Sequence, residues 1–207
     1  MMGSESSTSA DSGLGTEQEL LRRLALTTPA DTVRGLSFHT VMDAVRADMG
    51  EAAAEHCLGK LSEKSFRSFF HYPVSDYLRV LYAAGWLLSE RHGSFDNAVR
   101  RIAGGIAPGF LASTVGKAFL LLTKEGPKHL INNMPVAFKA AASFGEISLQ
   151  WMGPRHGVLH TRRDFLLYMN HEGGLLGLFR ALELPGARVQ GRQVGSLDNE
   201  IEFSWGD

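Results

Sequence analysis

The sequence predicts an α+β fold in which an N-terminal layer of five or six helices packs on a C-terminal four-stranded antiparallel sheet. Apolar residues recur every three or four positions up to about residue 145, and at every second position after it. The second region has the order strand-strand-helix-strand-strand, with turn sequences between the paired strands. We expect a disordered tail at 1–16 and one domain at 17–207, with its helical part at 17–145 and its sheet part at 146–207.

Caps, prolines and glycines divide the helical part into segments. Thr28-Pro29-Ala30-Asp31 offers an N-cap, a proline at the first helical position and an acid at the third, so it predicts a helix start. Apolar stripes predict the helices, at 20–24, 38–49, 74–88, 95–106, 110–122 and 130–138. The breaks fall at Gly50, Gly93, Pro108-Gly109 and Gly126-Pro127, and Pro135 predicts a kink in the last helix.

The sheet part shows the two-residue period of half-buried strands. Ile147, Leu149 and Trp151 alternate with polar residues, and Gly153-Pro154-Arg155-His156-Gly157 predicts a turn. The remaining elements are a returning strand at 158–163, a short helix at 175–182 and strands at 187–194 and 200–205. We expect one face of this sheet to pack on helices and the other to face water.

Charge and cysteine content exclude several classes of function. The 21 Lys and Arg residues against 22 Asp and Glu give a net charge of −1, which carries no electrostatic footprint for nucleic acid. The single cysteine, Cys57, excludes an intramolecular disulfide and a Cys-based zinc site. No segment has the length of a membrane span or the pattern of a secretory signal, so we expect a cytoplasmic protein.

No set of side chains matches a catalytic or metal-binding motif. His171-Glu172 lacks the second histidine of a zinc-protease helix. His56 and Cys57 are adjacent, so on a helix they point about 100° apart and the imidazole cannot activate the thiol. His156 and His160 lie about 13 Å apart on an extended strand, too far to share a metal. We therefore expect no enzyme activity and no metal site.

The strongest charged feature is a basic cluster on the predicted hairpin. It comprises Arg155, His156, His160, Arg162 and Arg163. Such a cluster is typical of the solvated face of a hairpin, and the alternative is a docking patch for an acidic group.

Short segments spread over the chain resemble a known family. They are Leu24–Gly35 (LALTTPADTVRG), Tyr72–Leu78, Gly116-Lys117 with Leu120–Leu122, Gly153-Pro154-Arg155, Arg163-Asp164-Phe165 and Ser204-Trp205. Together they resemble a paralogous family of myxobacterial proteins of about this length, over nearly the whole chain after the tail. Since that family carries no assigned reaction, the resemblance implies little about activity.

The order of elements also resembles a wider superfamily. It contains haem–nitric oxide/oxygen-binding sensors, the four-vinyl-reductase type of small-ligand domain, and trafficking-complex subunits. In the haem sensors a leucine-rich helix precedes the proximal histidine, and a later Tyr-x-Ser-x-Arg holds the haem propionates. By this resemblance His129 stands in the place of the iron ligand and Trp151-Met152-Gly153-Pro154-Arg155 in that of the propionate motif. Only Arg155 is kept, so we expect no haem and a structural role for His129.

Another branch of that superfamily bears on Cys57. Some of its members bury an acyl chain beside a cysteine at the end of an early helix, and Cys57 has such a position by resemblance. A small buried hydrophobe is the simpler interpretation of this residue.

These observations favour a non-catalytic small-molecule-binding or regulatory sensor domain, with an apolar cavity between helices and sheet. We expect His129, Trp151 and Arg155 near a small apolar ligand, with Tyr77 and Phe119 as walls. We expect a protein partner or a homodimer to receive the signal. A cavity above about 300 Å³ is the structural requirement.

Two alternatives remain open at this point. One is an interaction or dimerisation module with a filled core, in which helical glycines allow a second backbone to approach, although the same glycines suit internal packing. These glycines are Gly104-Gly105, Gly173-Gly174 and Gly177. The other is a haem-based gas sensor with His129 as the iron ligand.

Overall fold

A computed structural model describes residues 13–59, 61–107 and 126–206. Its helices are α1 (Glu17–Leu26), α2 (Gly35–Met49), α3 (Glu51–Leu58), α4 (Val74–His92), α5 (Phe95–Ala103), α6 (Pro127–Asn132), α7 (Met134–Ala141) and α8 (Tyr168–Ala181). Its strands are β1 (Thr32–Arg34), β2 (His71–Pro73), β3 (Glu146–Gly153), β4 (His156–Arg162), β5 (Arg188–Gln193) and β6 (Asn199–Ser204). This arrangement confirms the predicted α+β class, while residues 1–12 and the predicted helix at 110–122, with Phe119, lie outside the described ranges.

Local caps explain where several helices begin and end. The Thr16 hydroxyl accepts a hydrogen bond from the Glu19 amide at the start of α1, and Ser94 does the same for Asn97 at the start of α5. Gly93 ends α4 in the left-handed conformation, with φ at 81°. Pro135 lies in the first turn of α7, directly after α6 ends, so the predicted kink is a break between two helices.

The predicted helix start at Thr28-Pro29-Ala30-Asp31 is wrong. The Asp31 carboxylate accepts hydrogen bonds from the Thr28 amide and hydroxyl, both at 2.8 Å, and closes a turn instead. It also receives two hydrogen bonds from the Arg163 guanidinium, at 2.8 and 2.9 Å. The chain then enters β1, which pairs antiparallel with β2. A contact with the sheet part of the chain therefore overrides the local capping signal.

The main sheet has the strand order β3-β4-β6-β5, with all pairs antiparallel. In register, Leu149 lies opposite Leu159, Leu159 opposite Ile201, and Phe203 opposite Val189. Helix α8 packs on β5 and β6, and α7 packs on β3. Beneath these helices lies an apolar cluster, formed by Ile131, Leu159, Leu175, Phe179, Ile201 and Phe203.

Close packing of α5 against α8 depends on glycine. A Cβ atom added to Gly173 would lie 2.3 Å from the Arg100 carbonyl oxygen, and one added to Gly177 would lie 2.4 Å from the Gly104 carbonyl oxygen. Gly104, Gly173 and Gly177 therefore serve packing inside the chain, which was one of the two uses expected for the helical glycines. Gly174, on the same helix, has open space where its Cβ would be.

Candidate functional site

A cavity lies between the end of α3 and the middle of α4. We call it the α3–α4 cleft; its volume is about 750 Å³. Its lining residues are His56, Cys57, Leu58, Gly59, Leu61, Ser62, Asp76, Arg79, Ala83, Trp86 and Leu87. This volume exceeds the roughly 300 Å³ required of a small-molecule site. The cleft lies within the helical part rather than between helices and sheet, where the sequence had suggested a cavity.

The cleft combines an apolar wall with a charged rim. Ala83, Trp86 and Leu87 come from one side of α4, spaced so that they share a helix face. Arg79 lies one turn earlier and is exposed, with its guanidinium donating to the Ser75 carbonyl at 3.3 Å. It forms no ion pair with any residue that the structure describes. The rim cation is therefore available to a ligand with an acidic end.

Cys57 forms part of the wall of the cleft. It is 4% exposed, and burial raises the pKa of its thiol to about 11. At neutral pH the side chain is a protonated thiol and a poor nucleophile. This agrees with the expectation of a small buried hydrophobe and places that hydrophobe against the cleft.

A second cleft of about 540 Å³ lies on the other side of α3, against α2, and Leu58 lines both. Its lining is more polar, and three of its charged residues pair with one another. Arg46 pairs with Asp43 at 2.6 Å and with Glu51. Because these charges already pair with one another, they are less available to a ligand than the cation of the α3–α4 cleft.

The start of α8 carries a buried polar cluster that sequence reasoning missed. His171 Nε2 lies 2.6 Å from Asp164 Oδ2, and both side chains are at least nine-tenths buried. Nearby, the side-chain amide of the buried Asn170 lies beside the Tyr77 hydroxyl. Burial is the main reason that the pKa of Tyr77 is raised. Asp164 and His171 stand seven residues apart across a loop, a spacing that gives no periodic signal.

The residues that the sequence had proposed as one site lie on α4, α6, β3 and the β3–β4 turn where the structure describes them. Trp151 packs against α6, the helix that carries His129: its Nε1 donates to Asn132 Oδ1 at 2.8 Å, and Lys128 Nζ lies 4.4 Å from its ring centroid. Arg155 lies in the β3–β4 turn and donates to the Gly206 carbonyl at 2.9 Å. The four described residues of that set do not line either cleft. They are His129, Tyr77, Trp151 and Arg155. Phe119 lies outside the described ranges.

Two acids of the same sheet, and one acid outside it, lie against residues of the hairpin's basic cluster. His156 lies 2.7 Å from Glu202 and His160 lies 3.6 Å from Glu200, both on β6. Arg163 is paired with Asp31. These pairs support the interpretation of the cluster as a solvated hairpin face.

The sequence of this chain matches a protein family over residues 26–206, described as "Protein of unknown function (DUF2378)". The chain belongs to the DUF2378 family. The match runs from the last residue of α1 to the end of the described chain, so it covers both the helical part and the sheet. Among curated proteins, no significant match is found.

Solved structures with a similar fold include H-NOX proteins. The DUF2378 chain matches the Fe(II) unliganded protein from K. algicida with a TM-score of 0.67 and 13% identity, over 84% of this chain and 97% of that one. It matches a protein from S. oneidensis in the Fe(II)NO state with a TM-score of 0.66 and 13% identity, over 84% and 99%. An NMR structure of an H-NOX domain from Shewanella oneidensis in the Fe(II)CO state gives 0.58 and 17%, also over 84% and 99%. This confirms the predicted resemblance in fold.

The DUF2378 chain does not offer the donors that would hold haem propionates. The single side-chain N–H of Trp151 donates to Asn132, and Gly153 has no side chain. Arg155 donates to the Gly206 carbonyl. Within the described ranges, no three His, Cys, Asp or Glu residues are grouped so that they could hold a metal ion. The described residues at the place of the propionate motif therefore do not supply the donors of that motif.

Proposed function

We propose that this chain is a non-catalytic small-molecule-binding domain whose ligand occupies the α3–α4 cleft. The observation that carries the proposal is the cleft itself, because its volume of about 750 Å³ lies in the usual range for ligand sites. Leu58, Leu61, Ala83, Trp86 and Leu87 suit an apolar body. The Arg79 guanidinium at the rim suits an acidic group at one end.

A non-catalytic role is supported by the state of the reactive groups. The thiol of Cys57 is held protonated by burial, so it is not a nucleophile at neutral pH. Asp164 and His171 are buried against each other, and neither lines either cleft. An acid–base pair whose side chains are at least nine-tenths buried offers little surface to a substrate in this conformation. These residues serve the structure of the domain in this proposal.

The alternative of a haem-based sensor has less support, because the residues in the place of the propionate motif are engaged within the chain. The alternative of a dimer formed through helical glycines also has less support, because Gly104, Gly173 and Gly177 lie where α5 and α8 pack against each other within one chain. We propose that the domain passes its ligand-bound state to a protein partner by direct contact, and we expect the domain to act in the cytoplasm.

A route from the cleft to the sheet exists in the packing of the helices. Helix α4 forms one wall of the cleft and packs on α5, and α5 packs on α8, which covers the sheet. The α5–α8 contact is made with almost no space between the backbones. A ligand that shifts α4 would therefore press on the sheet through two closely packed interfaces, which is the regulatory part of the proposal.

The proposal is tested by filling the cleft. Anilinonaphthalene sulfonate, with apolar rings and one anionic group, is the probe, and its fluorescence is titrated against the folded chain. Ala83→Phe places a ring in the cleft and is expected to weaken binding at least tenfold. Ala140→Phe makes the same change on an exposed position of α7 and is the matched control, expected to bind as the wild type does.

A second variant examines the rim. Arg79→Gln removes the cation without filling the cleft, and is expected to weaken the anionic probe while leaving a neutral apolar probe unaffected. Equal binding by the wild type and by Ala83→Phe would refute the proposed location of the site. Absence of binding to the wild type would count against the function itself.

A further inference from the structure

Two adjacent phenylalanines project from the turn that precedes β2. Phe69 is 73% exposed and Phe70 57%, and Leu36, at the start of α2 beside them, is 45% exposed. Large apolar side chains exposed together on a folded domain are typical of a surface that contacts a protein, a membrane or a ligand. We call these three residues the apolar tip.

Backbone hydrogen bonds and a ring stack hold the turn in a conformation that exposes the tip. The Gly35 amide donates to the Phe70 carbonyl at 2.9 Å, and the Leu36 amide donates to the Ser68 carbonyl at 3.1 Å. Behind the turn, Phe66 stacks on the buried ring of Phe38, with centroids 3.9 Å apart. The phenylalanines of the tip therefore do not fold back into the core.

One cation, Arg67, contacts the tip, and two more stand close to it along the chain or on the adjacent strand. Arg67 lies with its guanidinium 5.3 Å from the centre of the Phe70 ring, while Lys64 precedes it on the same loop and donates to the Gly59 carbonyl. Arg34, on the neighbouring strand, is half-buried, and its Nε is a buried atom without a hydrogen-bond partner. None of these three cations forms an ion pair with a residue that the structure describes. The nearest acid along the loop, Glu63, accepts a hydrogen bond from the Ser65 amide.

We propose that the apolar tip docks on an anionic lipid surface. Phe69 and Phe70 enter the boundary between headgroups and acyl chains, where aromatic side chains are favoured. Arg67 then lies at the level of the headgroups with Lys64 near it on the same loop, and their unpaired charge selects anionic lipid. A small apolar tip with neighbouring cations suits a lipid surface better than a protein partner, because a stable protein interface needs a broader patch.

The test is co-sedimentation of the full chain with phosphatidylcholine vesicles, with and without a quarter of phosphatidylglycerol. The wild type is expected to bind the anionic vesicles at least tenfold more tightly than the neutral ones, and to dissociate as salt is raised. Phe69→Ser is expected to weaken binding about tenfold, and the double change with Phe70→Ser about a hundredfold. Arg67→Glu is expected to weaken binding to anionic vesicles only.

Val136→Ser is the control, because Val136 is 67% exposed on α7 and has no part in the tip. Its binding to vesicles is expected to equal that of the wild type. The inference is overturned if anionic vesicles do not bind the chain, or if the serine variants bind as the wild type does. It is also overturned if the serine variants abolish self-association instead, since a second copy would then be the occupant. All tip variants are expected to keep probe binding in the α3–α4 cleft, so the two proposals fail separately.

Discussion

Replacement of Gly177 by alanine tests the packing of α5 on α8. The new Cβ would lie 2.4 Å from the Gly104 carbonyl oxygen and 3.0 Å from its carbonyl carbon. Ordinary van der Waals contact begins near 3.4 Å, so the two helices must separate by about 1 Å. The obstructing atoms belong to the backbone and have no rotamer by which to move aside.

The expected loss of stability follows from two opposing terms. Overpacking costs about 1–3 kcal/mol, and a contact between backbones belongs at the upper end of that range. Alanine recovers about 1 kcal/mol, because glycine is the poorer helix former. The net change in the free energy of unfolding is therefore about −2 kcal/mol, which lowers the Tm of a chain this size by about 4–8 °C.

Thermal and urea unfolding, followed by circular dichroism, measure the change. Gly174→Ala is the matched control, since it lies on the same helix with open space at its Cβ. It is expected to raise stability by about 0.5–1 kcal/mol through helix propensity alone. If Gly177→Ala is as stable as the wild type or more stable, the close contact between α5 and α8 is wrong.

Three further predictions address the thiol, a carboxylate and the core. Because the pKa of Cys57 is about 11 rather than 9.0, its alkylation at pH 8 is expected to be about a hundredfold slower in the folded chain than in urea. The protonated thiol is also favoured by the folded chain, and this contribution to the free energy of unfolding is full below about pH 9 and is lost between about pH 9 and 11. The pKa of Asp31 is lowered by its hydrogen bonds with Arg163, so this pair stabilises the fold above about pH 3.8 and loses its effect as pH falls further. Arg163→Gln is therefore expected to be less stable than the wild type at pH 7, with a difference that vanishes in acid unfolding curves. Phe179→Ala, in the fully buried cluster under α8, is expected to cost about 3–5 kcal/mol in urea unfolding, against less than about 0.5 for Val136→Ala at the surface.

Local signals predicted most of the elements correctly. Pro73 and Gly93 bracket α4 as the sequence indicates, and Ser94 caps α5. Alternation in the last sixty or so residues predicts the sheet, because one face packs on α8 and the other meets water. Thr28 to Asp31 misled because the same residues that cap a helix also close a turn, and Arg163 decides between the two. No local pattern contains that contact, which joins residues 132 positions apart.

The candidate site was less predictable than the fold. The α3–α4 cleft depends on how α3 and the loop after it lie against α4, and that is a matter of tertiary packing. Cys57 drew attention through a family resemblance, and the structure places it in the wall of the cleft. The pairing of Asp164 with His171 arises because the loop before α8 folds back over the first turn of that helix. Aromatic content predicted the apolar clusters but did not indicate which of them borders a cavity.

Protection of Cys57 tests the central claim most directly, because this thiol lies in the wall of the α3–α4 cleft. Its alkylation rate is measured at pH 9, without and with anilinonaphthalene sulfonate at about ten times its dissociation constant. If the probe occupies the cleft, the rate falls about tenfold, in proportion to the fraction of chain left free. An unchanged rate at saturating probe would show that the cleft is not the binding site.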